Sequence, residues 1–271
     1  MSQRAQFDFE RILHLRILKS SPEDRFSVIS RSYAELFKRF PNHDALDTRN
    51  DKKTRKLKAG LIAPLAKSGD KILEIGCGRG DVLLELAERG CDCVGLESSQ
   101  DMIDITSGVK IMFGVADKLD FPDESFDLVF SQQVLEHLHP EDVPNHFKQV
   151  FRVLRPGGTI AVETPNFRTG PQDQSRGFVP VAQGLHLKEW KVTELIWQFQ
   201  QAGFSRVQGL LLPPFLIKRI ETLHRFSKVP SGVKVLEDFF LGLVPALLLR
   251  TFAAKILGLD DIFLFAQKPC R

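Results

Sequence analysis

The sequence predicts an α/β protein whose central, mostly parallel sheet has helices on both faces. From residue 71 onward, short apolar segments alternate with segments of helical periodicity, which is the pattern of successive βαβ units. A glycine-rich turn follows the first apolar segment, and the turn sequence Arg155-Pro156-Gly157-Gly158 separates a later helix from a strand. At 271 residues, the chain has room for one such domain and for additional helical segments.

The alternation of patterns locates each strand and helix of this core. Strands are predicted at 71–75, 91–97, 109–114, 126–131, 159–163, 207–212 and 262–267. Helices are predicted between them at 81–89, 100–106, 143–154 and 191–202. Gly203 stands where the last of these helices needs a C′ glycine.

Two helical segments flank or interrupt the core. Residues 1–66 form the first, with periodic stretches at 7–19 and 23–40 and another near 54–66, and Ser21-Pro22-Glu23-Asp24 is expected to cap the second stretch. The core itself is expected to comprise residues 67–212 and 261–271. Residues 213–260 are rich in Leu, Phe and Val and form a predicted helical insertion before the last strand.

The net charge of +3 conceals an uneven distribution of charge. Residues 1–60 hold 14 Lys and Arg against 8 Asp and Glu, residues 61–204 hold 13 against 21, and residues 205–271 hold 10 against 5. The basic ends fit either solvated helix faces or contact with an anionic substrate or acidic membrane surface. A nucleic-acid partner is disfavoured, because these ends lack an evident aromatic and basic surface and the chain has a single tyrosine.

The insertion and the cysteines bear on where the protein works. The most hydrophobic run, residues 239–249, is much shorter than the roughly twenty apolar residues that cross a bilayer. Residues 215–225 have the pattern of an amphipathic basic helix, so residues 213–260 are expected to be a cap, a membrane-docking element or a dimer surface. Four unevenly spaced cysteines do not make a disulfide framework, and residues 1–30 lack a signal peptide's apolar stretch. We expect a cytoplasmic protein, with peripheral membrane contact as an alternative.

The strongest local signal is Leu73-Glu74-Ile75-Gly76-Cys77-Gly78-Arg79-Gly80-Asp81. Glycines after a buried strand permit a tight turn and let a ligand approach the backbone closely. A dinucleotide-binding loop would need its third glycine at Asp81, which disfavours that loop without excluding it. Glu97 ends the next strand about twenty residues later, where a carboxylate can accept hydrogen bonds from both hydroxyls of a ribose.

Three later segments carry a family resemblance. They are Phe121-Pro122-Asp123-Glu124-Ser125-Phe126-Asp127-Leu128-Val129, Val134-Leu135-Glu136-His137-Leu138 and Val153-Leu154-Arg155-Pro156-Gly157-Gly158. With the glycine turn, they resemble in order and spacing the motifs of class I S-adenosylmethionine-dependent methyltransferases, over about 95 residues within 71–164. The resemblance is greatest to the small-molecule branch that includes the ubiquinone-biosynthesis methyltransferases. It implies a Rossmann-like fold and S-adenosyl-L-methionine as the cofactor.

The resemblance also implies which residues bind this cofactor. Glu74 and the glycine turn would hold the amino-acid end, Glu97 the ribose, and Ala116 and Asp117 the adenine. That branch has an Asp where this chain has Val115, so Asp117 is expected to supply the carboxylate for the adenine amino group. The implied cofactor-binding residues are Glu74, Gly76, Cys77, Gly78, Gly80, Glu97, Ser98, Met102, Ala116, Asp117, Ser131 and Gln132.

The chemistry of methyl transfer narrows the catalytic candidates. A hydroxyl acceptor must lose a proton, so it needs a base or a metal ion. His186 follows the fifth strand, where related enzymes present a substrate-facing histidine, and it is the favoured general base. A structural role, such as capping the next helix, is the alternative for His186. His137 is a weaker candidate that is expected to shape the cofactor pocket, and His139 is expected to be exposed.

No group of Asp, Glu and His has convincing metal-ligand spacing in the sequence, so no metal ion is expected. The D/N-P-P-Y/F signature of amide and base N-methyltransferases is absent, and Ser131-Gln132-Gln133-Val134 occupies its position, which favours oxygen or carbon acceptors. We therefore expect methylation of a hydroxyl on a small molecule, a glycan or a lipid-linked metabolite. An NAD-dependent oxidoreductase and a non-catalytic cofactor-binding scaffold are the alternatives.

Overall fold

The computed structural model describes residues 2–41, 52–100, 103, 108–210, 228–243 and 260–270. The α-helices in these ranges are α1 Gln3–Leu18, α2 Arg25–Arg39, α3 Lys52–Ile62, α4 Asp81–Ala87, α5 Val143–Val153, α6 Val192–Gln201 and α7 Ser231–Leu243. The strands are β1 Lys71–Ile75, β2 Asp92–Glu97, β3 Lys110–Phe113, β4 Phe126–Gln132, β5 Leu154–Pro165, β6 Ser205–Leu210, β7 Lys228–Pro230 and β8 Asp261–Gln267. Short 3₁₀ turns occur at Ala63–Leu65, Leu135–His137 and Phe167–Thr169.

The described strands form one eight-stranded sheet in the order β3-β2-β1-β4-β5-β8-β6-β7. The first five strands of this order are parallel, whereas β8 pairs antiparallel with β5, and β6 pairs antiparallel with both β8 and β7. The carboxyl ends of β1, β2, β4 and β5 therefore lie at one edge of the sheet. In open α/β sheets, ligands bind outside that edge.

Side chains alternate along the strands, so each strand contributes to two hydrophobic layers. Leu73 packs with Phe147 on one face, in a layer shared with helices α5 and α6. Its neighbour Ile72 packs with Leu83 on the other face, in a layer shared with α3 and α4. The predicted α/β fold with helices on both faces is confirmed.

Most element boundaries lie within two residues of the prediction, and two segments differ from it more. Strand β5 begins at Leu154, so the Arg155–Gly158 segment that was expected to be a free turn lies within it. The register between β4 and β5 shifts between Phe126 and Leu128, which accommodates these extra residues as an irregularity. Strand β7 lies in a segment that was expected to be helical, and the predicted helix at 100–106 falls mostly outside the described residues.

Helices α1 and α2 pack on the loop region that follows the carboxyl edge. Leu13 and Leu36 are fully buried together with Leu185, which lies in the loop between β5 and α6. Helix α2 begins at Arg25, directly after the segment that was expected to cap it, and Asp24 is the N-cap residue although its side chain makes no capping hydrogen bond. The Oγ hydroxyl of Ser21 donates to the Asp24 carboxylate instead.

The described part of the insertion is β7 and α7, and the amphipathic stretch at 215–225 lies outside the described residues. Asp238 on α7 is buried and forms an ion pair with Arg168, whose guanidinium lies 3.3 Å from it. Helix α7 is thereby tied to the loop after β5. No described helix is both long enough and apolar enough to cross a membrane.

Candidate active site

The glycine turn after β1 has the backbone geometry that the sequence predicts. Gly76, Gly78 and Gly80 all have positive φ angles, of 71°, 52° and 77°. A Cβ atom on Gly76 would lie 2.4 Å from Cγ2 of Val134, so this position has no room for a side chain. Gly80 is the N-cap of α4. The turn therefore presents bare backbone at the carboxyl edge of the sheet.

The carboxylate of Glu97 is held against this turn. Its Oε2 atom accepts a hydrogen bond of 2.9 Å from the Gly78 N–H, and its Oε1 atom accepts one of 2.9 Å from the Ser99 N–H. Each carboxylate oxygen can accept a second bond, so capacity for ribose hydroxyls remains. Ser98 is exposed directly after β2, and Met102 lies outside the described residues.

Glu74 is buried in β1 with 4% of its surface exposed. Among the described residues, none hydrogen-bonds to its Oε2 atom, which is buried. Burial raises the pKa of this carboxyl well above its usual value, with the Lys58 charge opposing and the Asp81 charge adding to that effect. An unpartnered carboxylate oxygen beside the glycine turn fits the ammonium group of the cofactor's amino-acid end.

Cys77 contributes only its backbone to the predicted cofactor site. Its side chain is buried in the hydrophobic layer with α4, and a Cβ atom on Gly95 would lie 2.4 Å from its Sγ atom. Burial raises the pKa of the Cys77 thiol, and the charges of Glu74 and Glu97 add to this effect. The thiol is therefore a packing group in its neutral form.

The predicted adenine loop follows β3. Val115 forms an isolated β-bridge with Lys118, so Ala116 and Asp117 occupy the tip of a tight turn. Two consecutive residues of α5 donate to the carbonyls of this turn: His146 Nδ1 lies 2.8 Å from the Ala116 oxygen, and Asn145 Nδ2 lies 2.7 Å from the Asp117 oxygen.

The last two predicted cofactor residues end β4. Ser131 is buried in the centre of the sheet, paired with Ile75 of β1. The amide of Gln132 donates a 2.7 Å hydrogen bond to the Glu163 carboxylate. Burial and the charge of Asp261 raise the pKa of Glu163 to about 7. Glu163, which was not a predicted site residue, is therefore a further, half-buried acid at this edge.

His186 is paired with the carboxylate of Glu189 in the loop between β5 and α6. Its Nδ1 atom is 2.8 Å from the Oε1 atom of Glu189, whose side chain is 2% exposed. Since a carboxylate only accepts, Nδ1 carries the proton and donates, which leaves Nε2 as the nitrogen that can accept a proton. Burial alone lowers the pKa of His186, but the hydrogen bond to Glu189 and the charge of Glu136 outweigh it and raise the pKa.

His137 and Glu136 lie beside His186. The rings of His137 and His186 have centroids 5.0 Å apart, and His137 Nδ1 is 3.1 Å from the Tyr33 hydroxyl of α2. Glu136 is completely buried, with Oε2 accepting from the Thr164 hydroxyl at 2.9 Å. Burial raises the pKa of Glu136 to about 7.

One expectation about the histidines is wrong, and one contact between them bears on metal binding. His139 is buried rather than exposed, with Nε2 lying 3.4 Å from the Leu18 carbonyl oxygen. Glu136, His137 and His186 offer ligand atoms that all lie within 4.8 Å of one another, although the sequence showed no such spacing. The chain folding brings this trio together, since His186 is far from the other two in sequence.

The chain belongs to a methyltransferase-domain family, whose pattern matches residues 46–208. S-adenosyl-L-methionine is its cofactor, as the motifs predicted. The match favours a methyltransferase over the NAD-dependent alternative. The narrower resemblance to the ubiquinone-biosynthesis branch stays a prediction.

Individual relatives agree with the family assignment. A protein of Mycolicibacterium smegmatis, named a probable S-adenosylmethionine-dependent methyltransferase, is 33% identical over 145 residues, which are 51% of this chain and 53% of the relative. Phosphoethanolamine N-methyltransferase 3 of Arabidopsis thaliana is 35% identical over 181 residues, or 60% of this chain and 36% of the relative. The chain thus spans about half or less of these relatives.

A solved structure supports the fold alone. A methyltransferase from Archaeoglobus fulgidus, described as dependent on S-adenosylmethionine, superimposes with a TM-score of 0.57 at 21% sequence identity. The superposition covers 87% of this chain and 99% of the archaeal one. The superposition therefore extends well beyond the local motifs.

Proposed function

We propose that this protein methylates a hydroxyl group of a small molecule, a glycan or a lipid-linked metabolite, with His186 as the general base. The observation that carries this proposal is the 2.8 Å contact between His186 Nδ1 and the buried Glu189 carboxylate. A base that is oriented by a carboxylate serves an acceptor that must give up a proton. An amine acceptor in its neutral form would need no such pair.

The chain's own residues would divide the work between cofactor and acceptor. Glu74 would hold the cofactor's ammonium, Glu97 its ribose, and the turn at Ala116 and Asp117 its adenine. When bound, the cofactor supplies a methyl group made electrophilic by a positively charged sulfur. His186 Nε2 would take the hydroxyl proton as the acceptor oxygen attacks along the line of the carbon–sulfur bond.

A nitrogen acceptor is the second candidate, supported by the acidic groups at the carboxyl edge. Gln133 donates to Asp261, and burial raises the pKa of this carboxyl. Glu163 lies on the neighbouring strand, and such carboxylates would attract a cationic amine. The Arabidopsis relative is named for nitrogen methylation. In this candidate, the bound ammonium would lose one proton to water to become a neutral amine before it attacks the methyl group, and His186 would bind the acceptor rather than take its proton.

The test is methyl transfer from labelled S-adenosylmethionine into fractionated polar and lipid extracts, followed by identification of the methylated atom. Replacement of His186 with alanine should lower kcat about 100- to 10,000-fold, the usual contribution of a general base. Affinity for S-adenosylhomocysteine should change little, because the proposed cofactor contacts are elsewhere. H139Q serves as the control, since His139 is another buried histidine, bonded to the Leu18 carbonyl.

Three results would contradict the proposal. Methylation at nitrogen would replace it with the second candidate, and full activity of H186A would remove the base. Tight cofactor binding without transfer to either extract would favour the scaffold alternative. Assays with and without EDTA separate two roles of His186. Activity that persists in EDTA fits a proton-accepting His186, whereas activity lost in EDTA fits a His186 that binds a metal ion with Glu136 and His137.

A further inference from the structure

The turn after β3 is held by its carbonyl groups. Ala116 and Asp117 form its tip, and each of their carbonyl oxygens accepts a hydrogen bond from α5, at 2.8 Å from His146 and 2.7 Å from Asn145. His146 is 1% exposed, and burial keeps its pKa below the usual value, so the ring is neutral and Nδ1 donates its proton. These two residues belong to no catalytic or cofactor motif noted in the sequence.

Two such bonds fix two successive peptide planes. In a trans peptide, the carbonyl and the following N–H point in opposite directions. The bond from His146 to the Ala116 carbonyl therefore aims the Asp117 N–H away from α5. The bond from Asn145 fixes the next plane, whose Lys118 N–H donates to the Val115 carbonyl at 3.3 Å. The tip of the turn thus has little rotational freedom left.

Helix α5 is itself a firm support for this turn. The His146 N–H donates to the carbonyl of Asp142, the helix N-cap, at 2.9 Å. The Asp142 carboxylate pairs with Arg25 of α2, which also pairs with Glu141 at 2.9 Å. Arg25 is 4% exposed, so the first turn of α5 is anchored by a buried arginine that pairs with two more exposed carboxylates.

We infer that Asn145 and His146 are positioning residues for the adenine ring, and that they compensate for the carboxylate missing at Val115. By holding both carbonyls of the turn, they orient the Asp117 N–H and the Asp117 carboxylate toward the ring's hydrogen-bonding edge. In sequences with an Asp at the position of Val115, that carboxylate would bind the adenine amino group. This chain relies on a rigid backbone turn. The inference rests on the proposed location of adenine at Ala116 and Asp117.

The test compares two ligands by isothermal titration calorimetry, without any methyl acceptor. S-adenosylhomocysteine carries the adenine amino group, and S-inosylhomocysteine carries an oxygen there. H146A should bind S-adenosylhomocysteine about tenfold more weakly, which corresponds to one lost buried hydrogen bond. Its affinity for the inosine analogue should fall much less. H146N should recover most of the affinity, because its amide can reach the same carbonyl.

Asn145 makes the test independent of folding defects. Its side chain is exposed, so N145A is expected to fold, and the preference for S-adenosylhomocysteine should fall at least threefold. Lys148 is exposed on the same helix, and K148A is the matched control with unchanged affinities.

Equal losses for both ligands would assign Asn145 and His146 to general support of the fold and overturn the inference. An unchanged ligand preference in N145A would overturn it as well. So would an H146N variant that binds S-adenosylhomocysteine as weakly as H146A does. Since no acceptor is present, these outcomes are separate from the fate of the hydroxyl-methylation proposal.

Discussion

Replacement of Glu189 with glutamine would keep the shape of the His186 environment and remove its negative charge. Glu189 Oε1 lies 2.8 Å from His186 Nδ1 and accepts a 2.6 Å bond from the Gln172 N–H. A glutamine oxygen can make the same two contacts. The change therefore isolates the charge of Glu189 from its packing.

The magnitude follows from the kind of hydrogen bond that is lost. A bond to a charged group contributes about 1.5 to 3 kcal/mol, against roughly 1 kcal/mol for a neutral pair. The protonated form of His186 should thus lose about 1 to 2 kcal/mol of stabilisation in E189Q, since the burial that opposes protonation is unchanged. If proton transfer to His186 limits the rate, kcat should fall about 5- to 30-fold.

The pH dependence of kcat also has a predicted direction of change. The base must be neutral to accept a proton, so wild-type activity should fall as pH drops through the raised pKa of His186. In E189Q, the hydrogen bond that raises the pKa of His186 is weaker, while burial still lowers this pKa. The acid limb of the kcat profile should therefore move to lower pH. The assay is kcat as a function of pH with saturating acceptor, together with S-adenosylhomocysteine affinity as the control for an intact cofactor site. An acid limb that stays in place, or moves to higher pH, would refute the paired-base reasoning.

Two further predictions concern stability. Glu136 has a folded-state pKa of about 7 against 4.5, so the fold favours its neutral form; this stabilisation is complete below pH 4.5 and is lost as pH rises through 7. Relative to wild type, E136Q should gain up to roughly 3 kcal/mol in the free energy of unfolding at pH 8 and almost nothing at pH 4.5, as measured by thermal or denaturant unfolding. The surface variant E88Q should show no gain at either pH. G76A should lose cofactor affinity and more stability than G69A, because both positions have positive φ but only Gly76 would clash, with Val134. Equal melting temperatures of the two glycine variants would contradict the steric account.

Local patterns were enough to predict the backbone geometry of the glycine turn and the position of Glu97 beside it. The glycine turn and Glu97 lie within about twenty residues of each other, and their roles depend on backbone geometry that glycine and strand periodicity specify. The 2.9 Å bond between Gly78 and Glu97 follows from the parallel pairing of β1 with β2, which brings their carboxyl ends together. The boundary of β5 was harder to predict, because its first residues, including Gly157, have turn-forming identities.

Contacts between distant segments decided what the sequence did not reveal. Tyr33 and His137 are 104 residues apart, and no periodicity links them. His139 was expected to be exposed because it precedes a proline, yet packing against α1 buries it. The pairing of His186 with Glu189 was within reach, since the two residues are three positions apart. Its signal was hidden because neither residue lies in a regular helix or strand.

The basic N-terminal segment uses several of its arginines in ion pairs with other parts of the chain. Its positive charge was open to two interpretations, solvated helix faces or recognition of an anionic partner. Arg16 pairs with Glu35 at 2.9 Å, and Arg25 is nearly buried between Glu141 and Asp142. These arginines therefore hold α1, α2 and α5 together. The charge of the described helices is partly neutralised by ion pairs within the chain, which weakens the case for an anionic partner there. Tyr33, on the same segment, reaches His137 at the candidate acceptor site, so α2 would influence acceptor choice through that hydroxyl rather than through its net charge.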